Sequence, residues 1–200
     1  MYKILLFSFL LVMGVSLHAQ DELETHKELR SLLDGIENSI NTQKYSELSQ
    51  YFHKDLRVTT INQEVISSPS EIDEYFNRWF GEEGYLANLK IKLDADALTE
   101  FYSNNSYGIV RGFGKESYIL SDGRTFDMKT RWTATVTRDD ADRWVIISLH
   151  IGTNFLDNPI LKVAEDSMLY TGIGGGVAGL IIGLFIGFLW FRRASARKET

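Results

Sequence analysis

The stretch Arg131 to Asn154, RWTATVTRDDADRWVIISLHIGTN, decides the fold. From Phe126 onward, Phe126, Met128, Trp132, Ala134 and Val136 alternate with Asp127, Lys129, Arg131, Thr133, Thr135 and Thr137. A period of two marks a strand with unlike faces. Residues 138 to 143 hold three aspartates and no large apolar side chain, and Trp144 to Ile151 is again rich in β-branched and aromatic residues. Two antiparallel strands joined by a turn are expected.

With Arg138 facing Arg143 across that turn, Val136 pairs with Val145, Ala134 with Ile147 and Trp132 with Leu149, so one face is almost wholly apolar. The same register sets Thr133 against Ser148 and Arg131 against His150, giving a small polar face with a cation beside an imidazole. Upstream, Ser121-Asp122-Gly123-Arg124 centres on an Asp-Gly pair, which suits a two-residue type I′ turn because both central positions need positive φ. That turn places Gly108, Gly112 and Gly114 on the Arg131/His150 face, Ile109 and Phe113 on the apolar face, and Glu116 opposite Lys129 as a surface ion pair. Three glycines on one face either leave space above the sheet or mark a bend.

The chain of 200 residues has no cysteine and a formal charge of −6. Residues 1–19 read as a signal peptide, with Lys3 at the positive end, an apolar core from Ile4 to Leu17, and a cleavage site at Leu17-His18-Ala19. Leu169 to Phe191 contains no charge, is long enough to cross a bilayer, and is followed by Arg192, Arg193, Arg197 and Lys198, so residues 192–200 are expected to form a basic cytoplasmic tail. Within this span Gly175, Gly179, Gly183 and Gly187 recur every four residues, a stripe that lets a second helix approach closely. Residues 20–168 then form one extracytoplasmic domain, expected in the periplasm. It carries 16 basic and 26 acidic residues, which makes the domain as a whole a poor match to nucleic acid and to anionic lipid.

The domain opens with helical spacing at Leu29, Leu32, Leu33, Ile36 and Ile40, continued after a break near Asn41-Thr42 by Tyr45, Leu48 and Phe52. Ser68-Pro69-Ser70-Glu71 is a capping box with proline at the first helical position, and Ile72, Tyr75, Phe76, Trp79 and Phe80 supply the apolar face of a further helix. Leu56 to Thr60 reads as a short strand. Leu89, Ile91 and Leu93 mark another, continuing through Leu98 and Phe101. Helices followed by long antiparallel strands predict an α+β domain with helices packed on one side of a strongly bent antiparallel sheet.

The order of elements, the domain length and the closing pattern Trp144-x-Ile146-x-x-x-His150 resemble the nuclear transport factor 2-like superfamily, in particular its SnoaL-like and ketosteroid isomerase-like branch and the association domain of calcium/calmodulin-dependent kinase II. The resemblance covers about residues 22 to 160. It implies a cone-shaped sheet around N-terminal helices, with an open pocket whose wall carries Arg131, His150, Trp144, Ser148 and Thr133. It also implies a homodimer through an outer sheet face, here Trp132, Ala134, Val136, Val145, Ile147 and Leu149. The opposite reading, in which this apolar face is core and His150 is exposed, stays open.

Arg131 and His150 would suit a small anionic or carbonyl ligand. Catalytic members of the superfamily use a pocket carboxylate as base. Asp127, Asp94 and Asp96 are available, yet no spacing marks them, and no nucleophile, cofactor or metal-ligand motif is present, so no cofactor is expected. Three functions fit: a membrane-anchored module binding a small molecule, an acid-base lyase or isomerase, and a non-catalytic dimerisation domain.

Overall fold

The computed structural model describes the backbone of residues 2–196 and the side chains of residues 22–190. The side chains of the signal peptide and of the basic tail therefore lie outside the described residues. Two compact units are present, Met1–Asn154 and Phe155–Thr200.

In the first unit α1 (Tyr2–Asn41) leads through a 3-10 turn (Tyr45–Tyr51) to β1 (Phe52–Thr59) and the two-residue β2 (Val65–Ile66). Then come α2 (Pro69–Phe80), β3 (Leu86–Ala95), β4 (Glu100–Tyr102), β5 (Tyr107–Leu120), β6 (Thr125–Arg138) and β7 (Trp144–Thr153). Glu71 in the first turn of α2 accepts from the Ser67 N–H at 2.8 Å and the Ser68 hydroxyl at 3.2 Å, one residue short of the reciprocal bonds of a capping box, and the Ser68 side chain caps no backbone N–H.

The sheet runs β2-β1-β7-β6-β5-β3, with β4 also paired to β5. It is mixed rather than wholly antiparallel, because β1 lies parallel to β7. The free edge of β3 is closed by α1: Asn41 accepts from the Ile91 N–H and donates to the Ile91 carbonyl, both at 2.8 Å, as a neighbouring strand would.

Both hairpin registers differ from the sequence expectation, for one reason. Each turn is a three-residue loop, not a two-residue one. Gly123 takes φ +88° while its N–H bonds to Leu120 O, and Leu120 N–H bonds to Arg124 O. Asp142 plays the same part with φ 59° between Asp139 and Arg143. Arg138 consequently pairs with Trp144, and a bulge at Ile147 moves the partners again, so that Ala134 faces Leu149, Thr133 faces His150 and Arg131 faces Gly152. On the other side Gly112 faces Trp132 and Lys115 faces Lys129. A slip of one residue exchanges the two faces of a strand relative to its neighbour.

The inner face of the sheet therefore carries Trp132, Ala134, Val136, Trp144 and Ile146, all buried against Leu29, Ile36 and Leu48 from the helical layer. These residues close a core within one chain and do not form an outer dimer face.

The second unit is α3 (Pro159–Ala196). Its segment Pro159–Trp190 is long and apolar enough to cross a membrane.

Candidate functional site

Between α1, α2 and the inner sheet face lies a cavity of about 240 Å³. Its wall is mostly aliphatic and aromatic, with Leu32, Leu33 and Ile36 of α1 on one side and Ala134, Val136 and Leu149 of the sheet on the other, and the exposed Arg30 of α1 also borders it. This wall follows from the helical spacing of the α1 leucines and the alternation along β6, which aim both apolar faces inward.

One charged side chain on the sheet interrupts it. Glu116 of β5 is 9% exposed, and its carboxyl accepts from the Thr130 hydroxyl at 2.6 Å and from the Tyr118 phenol. Gly114 makes this possible, because a Cβ there would stand 2.6 Å from Thr130 Oγ1 and 3.0 Å from Glu116 Oε1. Gly112 does the same for Trp132, whose ring would meet an added Cβ at 2.1 Å. The expected free space over these glycines is occupied by neighbouring side chains.

Burial pushes the Glu116 carboxyl above the ordinary glutamate range, and the two hydroxyl donors restrain that shift. The Tyr118 phenol is raised as well, first by burial and then by the neighbouring Glu116 charge. Tyr75 of α2 also lines the cavity and is raised to about 12, mainly by burial. Thr60, just past β1, completes this polar end, its hydroxyl 2.5 Å from Asn62 Oδ1.

A second polar group lies toward the other end of β5. Thr99 packs beside Gly108, eight residues from Glu116 and roughly 25 Å away along an extended strand. His26 of α1 is 6% exposed, with its ring centroid 5.5 Å from Phe101, and Phe101 in turn lies 5.4 Å from Trp144. Arg138 covers Trp144 with its guanidinium 4.5 Å from the ring centroid.

The residues expected to form the pocket lie elsewhere. Arg131, Thr133 and His150 are exposed on the outer face and Ser148 is half-buried there, while only Trp144 turns inward. Arg131 is held by Asp96 in a two-pronged ion pair, one contact of which is 2.9 Å, so its fork of donors is already used. Trp132, Ala134, Val136 and Leu149, expected at a dimer contact, line the cavity instead. Val145 is buried and Ile147 is the bulged residue.

Sequence reasoning missed Glu116, Tyr118, Tyr75 and Thr60. A signal for the first two was present: Val110, Gly112, Gly114, Glu116, Tyr118 and Leu120 share one parity, so a glutamate stands among glycines and apolar residues on one strand face. No group of acidic or histidine side chains suited to a metal ion occurs among the described residues.

No protein-family model matches the chain, and no curated protein matches it significantly. Solved structures do match. Hexachlorocyclohexane dehydrochlorinase LinA-type3 from Novosphingobium barchaimii superposes with a TM-score of 0.59 at 14% identity, over 68% of this chain and 91% of that one. ActVI-ORFA from Streptomyces coelicolor gives 0.53 at 10% identity over 65% and 98%. A domain of unknown function with a cystatin-like fold from Nostoc punctiforme gives 0.54 at 13% identity over 78% and 93%. Identities this low establish a shared fold and leave the chemistry to each chain's own residues.

Proposed function

On a chain with the nuclear transport factor 2-like fold, we propose that the cavity of the first unit binds a small, largely apolar molecule carrying a hydrogen-bond donor, and that the C-terminal helix anchors this module in a membrane. The single observation behind this reading is Glu116, a carboxyl at one end of an apolar cavity. An apolar wall favours an apolar body, and a few placed polar groups fix its orientation. A carboxyl accepts from an amine or hydroxyl and repels a carboxylate. The anionic ligand suggested by Arg131 and His150 thus gives way to a donor-bearing one, since those two residues are on the outer face.

The test is displacement of an environment-sensitive dye from the full chain in detergent by dodecylamine, dodecanol and dodecanoate. Amine and alcohol should compete at least tenfold better than the carboxylate, the difference that about 1.4 kcal/mol of binding free energy produces. Glu116→Gln should remove most of the discrimination. Equal competition by all three in the wild type would overturn the reading.

A second reading, an acid-base lyase or isomerase, is favoured by the contact between Glu116 and Tyr118. A desolvated carboxyl can take a proton from a carbon while a neighbouring phenol donates to the oxygen that gains charge. Under this reading His150, exposed on the outer face, takes no part.

Export by the signal peptide places the domain outside the cytoplasm, in the periplasm of a cell with two membranes, and pairing along the glycine stripe makes the anchored protein a homodimer. The positive-inside rule and the close approach allowed by Gly175, Gly179, Gly183 and Gly187 support both statements.

A further inference from the structure

The outer face of the sheet carries a row of lysines that the cavity does not explain. Lys92 of β3 faces Lys115 of β5, and Lys115 faces Lys129 of β6, so three lysines occupy neighbouring positions on three adjacent strands. Lys90 lies two residues from Lys92 on the same face, in the row of Ser117 and Asp127. All four lysines are exposed and border a shallow groove of about 450 Å³.

The neighbouring acids are mostly committed. Lys92 is paired with Glu37 at 3.1 Å, Asp127 accepts from the Ser117 hydroxyl at 2.6 Å, and Asp96 is taken by Arg131. Asp94 is half-buried in the next row, beside Phe113. Lys90 reaches the Asn41 carbonyl. Among the described residues, Lys115 and Lys129 form no ion pair.

Like charges directly opposite on a sheet work against folding. In a domain with 26 acidic residues against 16 basic ones, two opposed lysines that form no ion pair are an exception that an external anion would relieve, even with Asp127 bordering the same groove. We propose that the outer face of β3, β5 and β6 is a docking surface for the anionic headgroups of phospholipids.

Two features select this occupant. The same chain carries the apolar helix Pro159–Trp190, so lipid headgroups are the anions kept at high local concentration once that helix is in a bilayer. The row also spans only two inter-strand spacings, roughly 10 Å, which matches one or two headgroups. A long polyanion would extend onto the acidic surface around it. This inference rests on the membrane anchor and is independent of what the cavity binds.

The experiment compares lysine acetylation, read by mass spectrometry, in the full chain reconstituted in nanodiscs of phosphatidylcholine alone or of an equal mixture with phosphatidylglycerol. Lys115 and Lys129 should react roughly fivefold more slowly in the anionic discs, the factor expected for one cation at an anionic surface. That protection should vanish at high ionic strength. Lys54, already paired with Asp140 at 2.8 Å, serves as the unchanged reference. In the double variant Lys115→Gln, Lys129→Gln, melting should be unimpaired and the lipid-dependent protection of Lys90 and Lys92 lost. Equal rates in both discs would overturn the proposal. So would protection in phosphatidylcholine discs that follows the number of chains per disc, which assigns the face to a second copy, or protection by inorganic pyrophosphate equal to that by anionic lipid, which assigns it to a soluble anion.

Discussion

A carboxyl beneath an apolar wall must be either neutral or well partnered, and Glu116 shows both tendencies, with two hydroxyl donors on an otherwise dry carboxyl. Its raised proton affinity in the folded state has a definite sign for stability. Above the ordinary glutamate range the unfolded chain has released this proton while part of the folded population still holds it, so the folded state binds more protons and stability falls as pH rises through that window. Glu116→Gln keeps the shape and removes the titration. Urea midpoints taken at about pH 5 and about pH 8 should therefore diverge less in the variant than in the wild type. An unchanged slope would mean that the carboxyl is as well solvated in the fold as outside it. The same property makes Glu116 sensitive to a ligand, since a donor placed against it lowers the cost of its charge.

At the scale of elements, the edge of β3 shows how side chains stand in for a strand. Asn41 offers its amide to both backbone groups of Ile91. Asn41→Ala should cost about 1 to 2 kcal/mol and speed hydrogen exchange at the Ile91 amide, while amides in the middle of β6 stay protected. Uniform acceleration along the whole sheet would argue against a local cap. The elements themselves were legible in the sequence: the alternation from Phe126 to Thr137 is a strand, the leucines of α1 face the core, and Pro69 opens α2. The pairing was not. Asp-Gly in the Ser121–Arg124 segment fits a two-residue turn and a three-residue loop equally well, because either one uses a positive φ at Gly123. The bulge at Ile147 has no marker in an apolar run. Each ambiguity is one residue wide, yet together they carried Arg131 and His150 to the wrong side and hid Glu116 behind an expected surface ion pair. The glycine face of β5 does turn toward the cavity; only its partners on β6 were mistaken.

For the molecule as a whole, the apolar surface is divided unevenly between its two units. The first encloses most of its large apolar side chains around a cavity, whereas along Ile173 to Trp190 of α3 the large apolar residues are exposed. Burying one such side chain is worth roughly 1.5 to 3 kcal/mol, so a helix of this composition left in water would drive aggregation, and a bilayer is the environment that removes the penalty. The proposed orientation rests on charge: Arg192, Arg193, Arg197 and Lys198 follow the apolar run, whereas the side before it carries Glu165 and Asp166 along with Lys162. The expected topology is an exported N-terminal domain, one span and a basic tail in the cytoplasm. Alkaline phosphatase, active only outside the cytoplasm, should be active when fused after Asn158 and inactive when fused after Thr200. Activity in the second fusion together with inactivity in the first would reverse the topology, and activity in both would mean that α3 does not cross the membrane.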